Sequence, residues 1–226
     1  MTPPSRTSPS RIRLSFDEHR MLRHIEDCQD SEERQRLLDR ALLKDMNRGC
    51  YNEDQCDYAQ LLIAMGANID ARDESGNTPL ILAVAHGQKS GAALLIKKGA
   101  DISLRNFNGM DALILALNDK LKATTLRLIE GGAPVDRTYG SNETTALIVA
   151  VHSGKTGAVK GLLSRHADPL VKDVHGKTAL DYAKENNDKT SAEMIEKYIT
   201  ARYEAATTLT TPKFKKIQIR KHGARA

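Results

Sequence analysis

The octapeptide Gly76-Asn77-Thr78-Pro79-Leu80-Ile81-Leu82-Ala83 returns 33 residues later as Gly109-Met110-Asp111-Ala112-Leu113-Ile114-Leu115-Ala116. It returns again after 34 residues as Glu143-Thr144-Thr145-Ala146-Leu147-Ile148-Val149-Ala150, and after 33 more as Gly176-Lys177-Thr178-Ala179-Leu180-Asp181-Tyr182-Ala183. A second landmark keeps step: Gly66-Ala67-Asn68, Gly99-Ala100-Asp101, Gly132-Ala133-Pro134 and His166-Ala167-Asp168. Between the two lie the apolar pairs Leu61-Leu62, Leu94-Leu95, Leu128-Ile129 and Leu162-Leu163. A fixed period of this length marks a stack of supersecondary units. None of them can bury its apolar face alone, so stability has to come from neighbours.

Each unit reads as a helical hairpin. Thr78, Asp111, Thr145 and Thr178 precede apolar helical patterns, where a side-chain oxygen caps the first free amides. Pro79 takes the first helical position, where a missing N–H costs nothing. Leu80, Ala83 and Val84 share a helix face. Ala83, Ala116, Ala150 and Ala183 form a column of small residues that lets hairpins approach closely. Gly66, Gly99 and Gly132 follow the second helices, where a residue of positive φ ends the helix without strain. His166 stands in that place in the fourth copy and must do the same at some cost, unless that end is built differently.

These residues resemble the ankyrin repeat, whose hallmark is a Thr-Pro-Leu-His-x-Ala start and a Leu-Leu-x-x-Gly-Ala end. The resemblance runs from Leu37 to Arg202, about three quarters of the chain. Only Thr78-Pro79-Leu80 keeps the full tripeptide, and Ile81, Ile114 and Ile148 replace the usual His. That His braces the turn through a backbone hydrogen bond in the family, so its loss implies less rigid repeats. The implied fold is an all-α ankyrin-repeat solenoid of about five helix-turn-helix repeats, with β-hairpin-like finger loops and helical caps.

The expected layout begins with a disordered basic segment, 1–15, and a helical cap, 16–36. Repeats follow at 37–72, 73–105, 106–138, 139–172 and 173–202, then a flexible basic tail, 203–226. Phe16 to Asp27 and Glu32 to Asn47 read as helices, the second opening on the capping sequence Asp30-Ser31-Glu32-Glu33. The first repeat is degenerate, with an insertion around Gly49 to Asp54. The last ends on a helix over Ser191 to Ala201, polar on its outer side.

Composition narrows the class. Aromatics are 4% with no Trp, so the core must be aliphatic, which suits thin helical layers. No apolar run approaches the roughly 18 residues of a membrane span, and Met1 to Arg13 has no hydrophobic stretch of a secretory signal. Cys28, Cys50 and Cys56 are odd in number and sparse, which fits a reducing compartment. His24 and Cys28 would share a helix face, but with Cys50 and Cys56 they match no zinc spacing; the three cysteines read as free thiols in or near the core. The expected location is intracellular, cytoplasmic ahead of nuclear, and the chain is expected to be a monomer that needs no cofactor or metal.

The net charge of +5 is unevenly spread. Residues 1–13 carry +3, residues 203–226 carry +5, and the body between them is −3. The tail presents Lys213, Lys215, Lys216, Arg220 and Lys221 around Phe214, Ile217 and Ile219. Such a segment serves solubility, import, nucleic acid, anionic lipid or a peptide receptor. Ser8-Pro9 in the N-terminal segment is a candidate phosphorylation site.

The resemblance implies that a protein partner binds the finger tips and the first helices. The tips are Arg72 to Asn77, Arg105 to Met110, Arg137 to Asn142 and Lys172 to Lys177. Phe107 and Tyr139 lie on adjacent tips, where exposed rings would act as interface anchors unless each folds back on its neighbour. Arg72, Arg105, Arg137 and Lys172 recur once in each hairpin as a ladder, for an acidic partner or simply as a solvated edge. His86 and His152 fall in nearly one column at the ends of first helices. Glu74, Asn77, Asn108, Met110, His175 and Lys177 complete the candidate surface.

Catalytic patterns are missing. Gly154-Lys155-Thr156 imitates the end of a phosphate-binding loop, but Val149 stands where its first Gly belongs, and Gly176-Lys177-Thr178 lacks that Gly too. No carboxylate pair is set up by a motif for acid–base work. The leading expectation is therefore a non-enzymatic adaptor or scaffold. The basic ends open a second reading, a regulator recruited to nucleic acid or acidic membrane. A third follows from the resemblance, since small ankyrin proteins with basic tails occur among bacterial effectors acting on host proteins.

Overall fold

The computed structural model describes residues 14–48, 56–118 and 121–210. It contains α1 (Phe16–Asp27), α2 (Ser31–Arg48), α3 (Asp57–Ala64), α4 (Pro79–Ala85), α5 (Lys89–Lys97), α6 (Ala112–Asn118) and α7 (Lys122–Glu130). Then come β1 (Thr138–Tyr139), β2 (Thr144–Thr145), α8 (Ala146–His152), α9 (Thr156–Ser164), α10 (Ala179–Glu185) and α11 (Lys189–Thr210). First helices α2, α4, α6, α8 and α10 pack in series as one layer, and α5, α7, α9 and α11 pack in series as the other. The chain is thus an all-α solenoid, with α1 laid against α2 at its start.

The sequence pattern explains the layers. Ala83, Ala116, Ala150 and Ala183 have no exposed surface, nor do Leu62, Leu95, Leu128 and Leu162 in the second layer. Each side chain of that leucine row stabilises the stack by about 1.5–3 kcal/mol relative to an exposed one. The expected caps form: Thr78, Asp111, Thr145 and Thr178 accept from the amides of Ile81, Ile114, Ile148 and Asp181 at 3.0–3.3 Å. Ile81, Ile114 and Ile148 stand in the place of the family's histidine and are buried in the core instead. His166 adopts φ 64°, so the fourth hairpin ends as the glycine-terminated ones do, with a side chain in the left-handed region.

Three boundaries differ from the sequence expectation. Leu14 packs on the core and Ser15 caps α1 through a capping box with Glu18, so the first segment's last two residues belong to the fold. The expected boundary at 36/37 falls inside α2, one continuous helix whose start is capped by Asp30 accepting from the amides of Glu32 and Glu33. At the other end α11 continues to Thr210 through the stretch expected as flexible tail. Ala201 to Ala206 contains good helix formers, and no Gly or Pro interrupts before Pro212. The insertion at Gly49 to Asp54 lies outside the described residues, as does the tail from 211 onward, with Lys213, Lys215, Lys216, Arg220 and Lys221.

The extra residue of the 34-residue copy sits in a finger. Thr138 pairs with Thr145 and Tyr139 with Thr144 as a two-stranded ladder. The preceding finger shows a single bridge, Arg105 with Asp111, one residue tighter. The fingers at 72–77 and 172–177 are turns without strand pairing.

Candidate partner-binding face

Three fingers are braced by a side-chain amide or carboxylate at the same place. Asp73 accepts from the amides of Ser75 and Asn77 at 2.9 and 2.8 Å, and Asn106 from those of Asn108 and Met110 at 3.1 and 2.9 Å. Asp173 accepts from the amides of His175 and Lys177, and from the Tyr182 hydroxyl at 2.6 Å. That hydroxyl bond, with the two amides, holds the Asp173 carboxyl below the usual range and pushes the Tyr182 phenol up to about 12. Neighbouring tips are joined directly: the Phe107 amide donates to the Ser75 carbonyl at 3.0 Å and the Val174 amide to that of Asn142 at 3.1 Å. The recognition edge is built from short loops tied to themselves and to each other.

Of the two expected ring anchors, one is where the sequence puts it. Phe107 is 74% exposed, and its ring lies over Gly76, where an added Cβ would come within 2.7 Å of it. Gly76 at φ 76° thus provides both the turn and the seat for the ring. Tyr139 is the correction: it is 4% exposed and is no surface anchor. Successive residues of a strand face opposite ways, and in β1 it is Thr138 that faces out. The Tyr139 hydroxyl donates to Asp111 Oδ2 at 2.7 Å, and the Arg105 guanidinium lies 5.0 Å from its ring centroid. Burial, then the charge and hydrogen bond of Asp111, push its phenol far above the ordinary value.

The cation ladder is partly rebuilt. Arg72 Nη1 donates to the carbonyls of Gly76 (3.2 Å) and Arg105 (2.8 Å), and Arg105 Nη2 to that of Thr138 (3.2 Å). Arg137 does not continue this forward series. It reaches back one repeat to the Ser103 carbonyl and stands 3.9 Å from Asp111 Oδ2. Lys172 is exposed. Lys177 is engaged, paired with Glu185 at 2.7 Å and lying over the Tyr182 ring at 5.4 Å. Asn77 is likewise structural, donating to Asp73 and accepting from Asn106. Lys155, from the rejected phosphate motif, donates to the Ala116 carbonyl at 2.9 Å.

Glu74, Asn108 and His175 are exposed on the tips, and Met110 is half-buried on the core. His86 and His152 are exposed, the second edge-on to Tyr182 at 6.1 Å, and one helix position separates their places in the hairpin. The floor between fingers and helices adds residues the sequence reading passed over. One turn into the first helices stand Leu82, Leu115, Val149 and Tyr182, of which Leu115, Val149 and Tyr182 are half-buried. On α2, Arg40 and Lys44 line a groove of about 890 Å³ with Leu43, Leu82 and Arg72. Only the packing of α2 as a first helix reveals them, because its degenerate repeat lacks the octapeptide landmark and keeps only the Gly66-Ala67-Asn68 one.

A second cavity, about 470 Å³, lies among α1, α2 and α3. Asp45 lines it with one carboxyl oxygen buried and without a hydrogen-bond partner among the described residues. Burial, reinforced by Glu18 and opposed by Arg48, raises its pKa to about 7. No motif marks Asp45 in the sequence. Cys28 is half-buried, and Cys56 is buried in the core.

A stack of helical hairpins with braced fingers along one edge defines a repeat solenoid whose loops and first helices form a continuous recognition face. The model of ankyrin repeats (3 copies) matches residues 47–139 and 113–205. The chain belongs to the ankyrin-repeat family, whose members generally mediate protein–protein interaction. It is also similar to Protein HOS4 of Saccharomyces cerevisiae, 53% identical over 51 residues. That match takes in 23% of this chain and 5% of the yeast protein, so the chain spans a small part of that relative. Among the described residues no helix is long and apolar enough to cross a membrane.

Proposed function

We propose that this chain is a non-enzymatic adaptor that holds a protein partner between its finger tips and the first-helix floor. The observation that carries the reading is Phe107, a large ring held in solvent at 74% exposure by a finger whose backbone is hydrogen-bonded to its neighbour. Exposed rings on preorganised loops are the usual anchors of interfaces, because little ordering cost remains at binding. Half-buried Met110, Leu115 and Val149 supply apolar floor beside it. The reading carries with it a monomer working in a reducing, cytoplasmic setting, supported by the sparse cysteines.

A photo-cross-linking residue placed at Phe107 tests this, with one at Lys97 on a second helix as control. In cells that make the protein, position 107 should capture a discrete polypeptide and position 97 should not. Capture at 97 alone, or equal capture at both, would refute binding through the fingers.

A further inference from the structure

Arg72 stands in the wall of two neighbouring depressions, the groove against α2 and a shallower one of about 740 Å³ along the finger edge. The first is lined by Arg36, Arg40 and Lys44, spaced i, i+4, i+8 on one helix face. The second is lined by Arg105 and Arg137. We propose that these six cations form one track that binds an acidic, extended segment of a protein partner; this deepens the adaptor reading and rests on it.

The partners of the cations set the sign of the track. Arg72 and Arg105 are held by main-chain carbonyls, which are neutral, so the guanidiniums are fixed in place with their charge uncancelled. Arg137 is held the same way; the buried Asp111 stands 3.9 Å from it, and its field also reaches Asp101. Arg36 has an exposed i,i+4 pair with Glu32 at 3.5 Å, a contact that contributes little and gives way to a better acceptor. Among the described residues Arg40 and Lys44 have no ion pair.

Four carboxylates also line the two walls, and three are turned to main-chain amides. Asp39 accepts from Asn68 N at 2.7 Å, Asp73 from Ser75 and Asn77, and Asp136 from Asp168 N at 2.7 Å. Glu74 alone among them has no hydrogen-bond partner among the described residues. These bonds fix the carboxylates in place and leave their charge uncancelled, so the two walls set six cations against four acids and keep a positive balance.

Protein carboxylates suit this track better than a polyphosphate backbone. The interspersed acids would meet a uniform line of phosphates, whereas a peptide can space its own acids between them. No aromatic residue lines either wall, so the stacking platform that single-stranded nucleic acid uses is missing.

The test uses the full chain and a fluorescein-labelled decamer of glutamate, read by fluorescence anisotropy at low and physiological salt. Arg40→Glu with Lys44→Glu should weaken binding about tenfold. Arg40→Gln with Lys44→Gln should weaken it by a smaller factor. Lys97→Glu with Lys98→Glu, an equal charge change on a second helix, should leave it within about twofold. Lys213→Gln, Lys215→Gln and Lys216→Gln should do the same. Equal losses in the track and second-helix variants would overturn the proposal, as would a loss that follows the tail. Tighter binding of an oligothymidine of equal charge, lost in the track variant, would overturn it in favour of nucleic acid. If any of these occurs while Phe107 still cross-links a partner, the adaptor reading stands and the track alone falls.

Discussion

Tyr139→Phe removes one oxygen from a contact that has no access to water. The hydroxyl donates to Asp111 Oδ2 at 2.7 Å, and Asp111 has no exposed surface. Asp111 Oδ1 is held by the Ile114 amide at 3.0 Å, and beyond the phenol Oδ2 has only Arg137 at 3.9 Å. The ring packing and the Arg105 contact at 5.0 Å survive the change, so the cost isolates the hydrogen bond. A hydrogen bond to a charged group contributes about 1.5–3 kcal/mol, which sets the expected loss near 2 kcal/mol. For a chain of this size that is about 4–8 °C in Tm. Circular dichroism melts and urea titrations of wild type and variant measure it. In an Asp111→Asn background the same change should cost less than about 0.5 kcal/mol, because the charged acceptor is gone. Loss of less than about 0.5 kcal/mol in the single variant would show that the carboxylate finds another donor, and the account of this finger would be wrong. The same geometry carries a spectroscopic readout: Tyr139→Phe should leave the phenolate absorbance developed in moderate alkali unchanged, because burial and Asp111 hold the Tyr139 phenol far above its ordinary value.

Two further outcomes follow from single residues. Asp45, at about 7, is neutral in both states below the ordinary carboxylate value of 3.8; between those values the folded chain keeps a proton that the unfolded chain releases, so stability falls as pH rises and the loss is complete above 7. Urea unfolding should therefore show wild type losing about 2 kcal/mol relative to Asp45→Asn between mildly acidic and mildly alkaline pH, and parallel curves would contradict burial of that carboxyl. His166→Gly should raise stability by about 1 kcal/mol in the same assay, since a side chain at φ 64° is strained and its one hydrogen-bond contact, to Tyr198, is long at 3.4 Å. A destabilised variant would mean that the Tyr198 contact outweighs the backbone.

The fold was legible because the repeat places its cues at fixed intervals. Cap, alanine column, leucine pair and terminator each reappear where local physics needs them, and His166, which register left open between a strained terminator and a differently built end, proves to be the terminator. The site was legible only in part. Phe107 and Tyr139 look alike in sequence, both rings on neighbouring fingers, and one extra residue in the finger that carries Tyr139 decides which faces solvent. That residue extends a turn into a two-residue ladder, and the alternation of the strand turns Tyr139 inward. Arg72, Arg105 and Arg137 also look alike, but Arg72 and Arg105 reach the finger beyond while Arg137 turns back to Ser103 and Asp111. Arg40, Lys44 and Asp45 were invisible because their roles come from the neighbours of α2, and α2 is a first helix without the octapeptide landmark.

The same groups supply both stiffness and charge on this face. A guanidinium tied to a carboxylate would brace two fingers and lose its field; one tied to a carbonyl braces them and keeps it. Arg72 and Arg105 do the second, each bridging to the finger beyond. Buried Asp111 completes the arrangement from the other side, capping α6 with one oxygen and receiving Tyr139 with the other. The turn that the family steadies with a histidine is steadied in the third and fourth repeats by this cluster, which leaves Ile114 and Ile148 free to fill the core. The cost of ordering the fingers has been met in folding, and a partner's carboxylates meet donors already in place.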